Sequence, residues 1–174
     1  MPEEKIVVLM GSPRDLPFAV KIKDFLKKEK FPVSCVYNVA SAHRTPEKLL
    51  NDLKGNEKRG DSIVYVTVAG LSDALSGVVA GYTHFPVIAC PPDSEEHGGA
   101  KVFSSTAMPK GIPVAFVAKP ENAALVAIRI FGLTNPELKE QLDKFKQKMA
   151  KAVYDGAAEV KKITEKKDIN RLAV

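Results

Sequence analysis

The sequence predicts an α/β protein, a three-layer αβα sandwich with a parallel sheet as its middle layer. Two observations lead to this fold class. Short apolar runs alternate along the chain with segments whose apolar residues recur at helical spacing. The short runs are apolar at nearly every position, which is typical of strands that helices cover on both faces. We therefore expect a single αβα domain, followed by an amphipathic helix at the C-terminus.

The apolar runs and the segments between them define the predicted elements. Five strands are predicted, over residues 6–10, 33–40, 63–69, 86–90 and 113–118. Helices are predicted over 16–28, from 46 onward, over 73–81 and over 122–133. Thr45-Pro46 favours a helix start, with threonine as N-cap and proline at the first helical position. The helix at 122–133 is apolar on nearly every face, so we expect it against the sheet and against a second subunit. This alternation predicts a sandwich of flavodoxin-like type.

The C-terminal segment has a different pattern. Its apolar residues form one stripe among charged residues: Leu138, Leu142, Phe145, Met149 and Val153. We interpret the stripe as an amphipathic helix that docks on the domain or on a neighbour, because too few large hydrophobes remain for membrane binding. The predicted division is an αβα domain over 1–155 and a helical extension over 156–174, with the residues from Glu165 onward frayed or lying on a partner.

Composition limits the classes of function. The chain has 174 residues, 45% of them hydrophobic and 27% charged, as globular domains do. Its net charge is +5, and no basic stripe interleaved with aromatic residues indicates a nucleic-acid partner. No apolar run approaches the roughly 20 residues that span a bilayer, and no leader opens the chain, so we expect a cytoplasmic protein. Cys35 and Cys90 lie in apolar runs and are predicted to be buried, reduced thiols.

The first of three polar loops follows the first predicted strand. Ligands of parallel αβα sheets bind beyond the carboxyl ends of the strands, where such loops gather. Gly11 permits close approach of the backbone, Ser12 offers a hydroxyl, and the next helix presents free amides to an anion. Asp15 can accept hydrogen bonds from ribose hydroxyls, or it can cap the helix that begins at Leu16.

The second loop follows the second strand and contains Ser41, His43 and Arg44. An imidazole beside a guanidinium at a strand end is suited to proton transfer next to a bound anion. A histidine at the surface, without a function, is the alternative.

The third loop begins at Gly70 and continues through Ser72 and Asp73 to Gly77. Its small residues let a substrate lie against the backbone, although they also suit close packing of helix on strand. His84 and His97 have no supporting neighbours and are predicted to be surface or loop residues. No spacing of residues indicates a metal site, and no nucleotide-cofactor motif is present.

Taken together, the loops resemble the aminoimidazole ribonucleotide carboxylase and mutase family. The strings that carry the resemblance are MGSPRD, SAHRTP, AGLSDALSG, PVIACPP, SSTAMPKGIPVA and NAALVAIRIFGL. The resemblance covers the chain from Ile6 to about Leu133. The third loop is similar to that of the class that carboxylates with CO2, because the mutase string AGGAAHLPG is absent.

The resemblance implies a lyase of purine biosynthesis that needs no metal or cofactor. His43 matches the family's proton-transfer histidine. Positions matching those that hold the phosphoribosyl group are Ser12, Asp15, Ser41 and Arg44, and those lining the ring side are Gly70 and Ser72. The substrates implied are aminoimidazole ribonucleotide and CO2. The family also implies a homotetramer or homo-octamer with sites near subunit contacts.

Several positions depart from the family pattern. The family has serine where Arg14 stands, and the CO2-dependent class has other residues at Leu71, Asp73 and Lys101. Arg44 is more typical of the mutases. Two alternatives therefore remain, a mutase and a non-catalytic paralogue that binds nucleotide phosphates. We expect the carboxylase, because the third loop has no histidine and an ionised Asp73 there would repel a substrate carboxylate.

Overall fold

The structure is a computed structural model that describes residues 3–92 and 100–171. The strands in these ranges are β1 (Glu4–Met10), β2 (Ser34–Val39), β3 (Ser62–Val68), β4 (Val87–Ala89) and β5 (Ala115–Phe116). The α-helices are α1 (Leu16–Glu29), α2 (Pro46–Glu57), α3 (Ala74–Tyr82), α4 (Ala100–Thr106), α5 (Pro120–Phe131) and α6 (Pro136–Arg171). A short 3-10 helix, Pro13–Asp15, leads directly into α1.

All described strands lie in one parallel sheet with the order β2-β1-β3-β4-β5. β1 pairs with both of its neighbours, so that Ile6 stands opposite Cys35 of β2 and Val64 of β3. The chain first adds β2 on one side of β1 and then β3 on the other. This reversal opens a crevice beyond the carboxyl ends of β1 and β3, where parallel sheets bind their ligands. The fold is therefore the predicted flavodoxin-like α/β type.

Each face of the sheet is covered by its own hydrophobic core. Ile6 and Val8 of β1 belong to the core formed with α1, α5 and the start of α6. Val7 and Leu9 point to the opposite core, formed with α2 and α3. Burial on both faces explains why this strand is apolar at every position from Ile6 to Met10.

The structure corrects several predicted boundaries. β4 and β5 have three and two residues, shorter than the predicted runs. Thr45 occupies the N-cap position of α2, but its side chain makes no capping hydrogen bond. The Thr45 hydroxyl instead accepts a hydrogen bond from the Ser41 amide at 2.9 Å and so stabilises the preceding loop. α4 lies outside the predicted elements.

α6 is the largest difference from the prediction. It has 36 residues and continues to Arg171, through the region expected to fray. The helix also runs unbroken across residue 155, where the helical extension was predicted to begin. Leu138 and Leu142 are buried on the domain, whereas Met149 and Val153 farther along are exposed. None of the helices within the described ranges is long and apolar enough to cross a membrane.

Candidate functional site

A cavity of about 820 Å³ lies at the carboxyl ends of β1, β2 and β3. The sheet order β2-β1-β3 makes the three loops after these strands neighbours in space. Every site residue predicted from the sequence lines this cavity: Ser12, Asp15, Ser41, His43, Arg44, Gly70 and Ser72. From the sequence alone, these residues were expected to lie together only because the loops that follow parallel strands meet at one edge of the sheet.

The loop after β1 is folded around the carboxylate of Asp15. The Ser12 amide donates to Asp15 Oδ2 at 2.9 Å, and the Arg14 amide donates to Ser12 Oγ at 3.3 Å. Ser12 and Asp15 thus form a capping box on the short 3-10 helix, whereas the side chain of Asp15 makes no capping bond at the start of α1, the role considered above. Asp15 is 8% exposed and lines the cavity wall.

Gly70 allows the loop after β3 to lie close to that carboxylate. A Cβ atom at this position would stand 3.2 Å from Asp15 Oδ1, tighter than most contacts of a real Cβ. The Gly11 amide also donates to the carbonyl of Val68 at the end of β3, at 2.9 Å. These contacts hold the first and third loops together at the base of the cavity.

The loop after β2 holds one arginine in place and leaves the histidine open. The Arg44 amide donates to Ser41 Oγ at 3.2 Å, and Arg44 Nη2 donates to the carbonyl of Gly11 at 3.2 Å. His43 is exposed and lines the cavity. No group within residues 3–92 and 100–171 hydrogen-bonds to its imidazole. The ring is therefore available to exchange a proton with a molecule in the cavity.

The charged side chains around the cavity favour an anionic ligand. Arg14 and Arg44 both line it, and among the described residues that line it Asp15 is the one with a carboxylate. Serine hydroxyls and guanidinium groups are the donors that proteins commonly use for phosphate oxygens. Arg14 was not among the predicted binding residues. Its place in the printed string MGSPRD, one residue before Asp15, was the available signal.

Asp73 has a different place from the one expected. It does not line the cavity and is only 3% exposed. Its carboxylate accepts hydrogen bonds from Ser76 and from Ser105, a residue that follows 32 positions later. The prediction that Asp73 would repel a substrate carboxylate assumed that it faces the ligand, whereas its carboxylate faces Ser76 and Ser105 inside the protein. No local pattern in the sequence indicates a partner that distant.

The remaining candidate residues behave as simple surface or core residues where they are described. His84 is exposed and stacks on Phe85, with ring centroids 4.4 Å apart. His97 lies outside the described residues. Cys35 and Cys90 are buried and form no disulfide, as predicted. Within the described ranges, no cluster of three or more histidine, cysteine or acidic residues could hold a metal ion.

The fold and cavity define an α/β protein whose site is suited to an anionic small molecule and includes an exposed imidazole. Comparison with known proteins agrees with this class. The AIR carboxylase family model matches residues 5–152. A phosphoribosylaminoimidazole carboxylase of Archaeoglobus fulgidus is 42% identical, over 90% of this chain and 85% of its own.

With two further relatives, the match extends over nearly the whole length of the relative. An N5-carboxyaminoimidazole ribonucleotide mutase of Methanocaldococcus jannaschii is 41% identical, over 91% of this chain and 98% of its own. A crystal structure of Treponema denticola PurE superposes with a TM-score of 0.84 at 37% identity, covering 88% of this chain and 96% of the other. The chain belongs to the AIR carboxylase family.

Proposed function

We propose that the protein interconverts aminoimidazole ribonucleotide plus CO2 and carboxyaminoimidazole ribonucleotide, in purine biosynthesis. The observation that carries this proposal is the open imidazole of His43 in a cavity that Arg14 and Arg44 make cationic. A module that only bound phosphate would have no need of a proton-transfer group at this place. The reaction fits the family to which the chain belongs.

The proposed reaction has two steps. The electron-rich ring carbon of the substrate attacks CO2, so that a C–C bond forms and one C=O bond opens to give the carboxylate. The ring carbon then carries both a hydrogen and the new carboxylate. His43 removes that proton as general base, and the C–H electron pair restores the aromatic ring. In the reverse direction the protonated imidazole returns the proton, and CO2 leaves.

The other site residues are assigned to binding. Ser12, Ser41 and Arg44 offer hydroxyl and guanidinium donors to the phosphate, and Asp15 accepts from ribose hydroxyls. Gly70 and Ser72, in the loop after β3, also line the cavity and are assigned to the part of it where the base would lie. No step of this scheme requires a metal or an organic cofactor.

The mutase reaction is the second candidate, since a relative of comparable identity has that name. A mutase must release a carboxylate from the exocyclic amine as CO2 and trap that CO2 beside the ring carbon. The loop after β3 contains no histidine, in contrast to the mutase string. The burial of Asp73 removes the charge argument against a carboxylate, so the preference for the carboxylase rests on the missing histidine.

The experiment is to offer each substrate separately to the same enzyme preparation. Aminoimidazole ribonucleotide is supplied with saturating bicarbonate and no ATP, and the N-carboxy isomer is supplied alone. Product is followed by absorbance. We expect faster turnover of the uncarboxylated ribonucleotide. Faster turnover of the isomer would identify a mutase, and no turnover of either substrate would favour a non-catalytic phosphate-binding protein.

We also propose that the protein is a homo-oligomer, a tetramer or an octamer, in the cytoplasm. α6 supports this proposal, because the apolar stripe that docks Leu138 and Leu142 on the domain continues beyond it. The later members of the stripe are exposed, with Met149 at 52%, Val153 at 70% and Val160 at 61%. An apolar stripe of this length is more typical of a helix that meets another copy of the chain.

A further inference from the structure

A buried network of hydroxyl groups surrounds the carboxylate of Asp73. Asp73 Oδ1 accepts from the Ser76 amide at 3.0 Å. Asp73 Oδ2 accepts from the Ser76 hydroxyl at 2.5 Å and from the Ser105 hydroxyl at 2.7 Å. Ser76 and Ser105 have no exposed surface, and Thr67, which lies 2.6 Å from the Ser76 hydroxyl, is 1% exposed. The network thus joins β3, the start of α3 and α4.

The direction of these hydrogen bonds identifies Asp73 as their common acceptor. Ser76 gives its only hydroxyl hydrogen to Asp73. The Thr67 hydroxyl lies 2.6 Å from the Ser76 hydroxyl and donates to the carbonyl of Ile88 at 3.2 Å. An ionised carboxylate accepts every one of these bonds and needs to donate none. The amide of Asp73 in turn donates to Ser104 Oγ at 3.0 Å, so that α4 contacts both the backbone and the side chain of this residue.

The network does more than a helix cap requires. Capping of α3 uses only the bond from the Ser76 amide to Oδ1. The second carboxylate oxygen is used for bonds to hydroxyls, and one of these belongs to a different helix. Met108, just beyond α4, also lies against α3, because a Cβ atom at Gly77 would stand 3.3 Å from its sulfur. Asp73 therefore lies at the contact between α3 and α4 and hydrogen-bonds to residues of both helices.

The position of the loop between β3 and Asp73 is set by the contacts at its two ends. Gly70, Leu71 and Ser72 line the cavity, yet none of them hydrogen-bonds to another residue of the described ranges. One end is held where the carbonyl of Val68 accepts from Gly11. The other end is held by Asp73. A loop with few bonds of its own takes its position from such anchors.

We infer that Asp73 is a positioning residue, which sets the loop Gly70–Ser72 against the reacting base through its bonds to Ser76 and Ser105. The kinetic consequence rests on the proposed function, in which this loop borders the ring and the other two loops hold the phosphoribosyl group. Misplacing the loop therefore lowers kcat and leaves KM nearly unchanged. A misplacement of the order of 1 Å can cost up to ~10²-fold in rate.

The test compares Asp73→Ala, Asp73→Asn and Ser105→Ala with a matched control, Asn135→Ala. Asn135 caps α6 far from the cavity, accepting from the amides of Glu137 and Leu138. Each variant is measured at a temperature where it is fully folded by circular dichroism. Asp73→Asn keeps a good N-cap and serves if Asp73→Ala does not fold.

Two readouts separate this inference from the proposed function. Hydrogen exchange should become faster in the peptide that covers residues 69–76 of the Asp73→Ala and Ser105→Ala variants and stay unchanged in the peptide that covers 40–46. Their kcat should fall about 10-fold with KM within about 3-fold of wild type, while Asn135→Ala matches wild type in both constants. Unchanged exchange in residues 69–76, or an unchanged kcat, would overturn the inference. A wild type without turnover would overturn the proposed function, and the exchange result would still decide the role of Asp73.

Discussion

The loops after β2 and β3 lie at the same edge of the sheet, but the structure uses their polar residues in opposite ways. In the loop after β2, His43 is exposed in the cavity and no described group bonds to its ring. In the loop after β3, Asp73 is 3% exposed and its carboxylate is fully engaged by Ser76 and Ser105. Both residues are polar and follow a strand of the parallel sheet.

The difference teaches how to recognise a reactive side chain at a strand end. A side chain whose hydrogen bonds are satisfied inside the protein is committed to structure, since replacing those partners with a ligand would leave buried groups unpaired. A side chain that lines a cavity with its polar atoms open can bind or react without such a cost. The predictions below test this division.

Replacement of His43 should have the largest effect. In His43→Asn, the side chain keeps polar bulk but cannot titrate, so turnover should fall at least ~10²-fold with the fold intact. His84→Asn is the matched control, because His84 is exposed outside the cavity. The measurement is the steady-state kcat of both variants, which shows whether turnover requires His43. If His43→Asn retains more than about a tenth of the wild-type value, His43 is not the general base.

Replacement of the cavity arginines should weaken binding more than chemistry. A hydrogen bond to a charged group contributes about 1.5–3 kcal/mol, so Arg44→Ala should raise KM about 10-fold or more. Arg14→Ala should act in the same direction and less strongly, since its guanidinium is not held by a backbone carbonyl as that of Arg44 is. Arg129→Ala, on the exposed side of α5, is the control and should not change KM.

The exposed stripe of α6 extends the comparison to apolar side chains. Val153→Glu places a charge in the stripe and should shift the oligomer toward smaller species, as measured by light scattering at micromolar concentration. Gln147→Glu adds a charge on the opposite face of the same helix and should leave the mass unchanged. A wild type that is monomeric at that concentration would contradict the proposed oligomer.

The smallest expected effect concerns the two buried cysteines, whose thiols should not react with a thiol reagent while the protein is folded. Burial raises the pKa of the Cys35 thiol to about 11, so the thiol stays protonated at pH 8 in the folded chain. Cys90 is fully buried. Ellman's reagent should therefore find no fast-reacting thiol in the native protein and two after denaturation. A native thiol that reacts within seconds would show that one of these sites opens.

The raised pKa of Cys35 also predicts a pH dependence of stability. The unfolded chain loses this proton near its ordinary pKa of 9.0, while the folded chain holds it to about 11. The contribution to the free energy of unfolding is fully present below pH 9 and is lost as the pH rises toward 11. Cys35→Ala should make urea unfolding less sensitive to pH in that window.

The sequence predicted the fold and the site well where the signal was local. β1 and β3 were found because they contain long apolar runs, and the site loops because polar residues follow the predicted strands. β4 and β5 were predicted too long, since Pro86 and Pro113 belong to the apolar runs but cannot donate to a strand ladder. The length of α6 was missed because Gly156 interrupts its stripe.

What the sequence could not predict depends on contacts between distant segments. Asp73 stood in a loop of small residues, where a free carboxylate and a buried one have the same local pattern. Its partner Ser105 comes from a helix that no periodicity indicated. Only the assembled fold therefore shows that the carboxylate of Asp73 is buried and not exposed. The open ring of His43 is likewise a property of the folded cavity.

The most direct test of the account is the affinity of His43→Asn for aminoimidazole ribonucleotide, measured by calorimetry in CO2-free buffer, where no carboxylation occurs. If the loop after β2 offers His43 for chemistry and leaves binding to Ser41 and Arg44, the variant should bind within about 3-fold of wild type although its turnover falls at least ~10²-fold. A loss of affinity as large as the loss of turnover would contradict the account, because His43 would then be a binding residue.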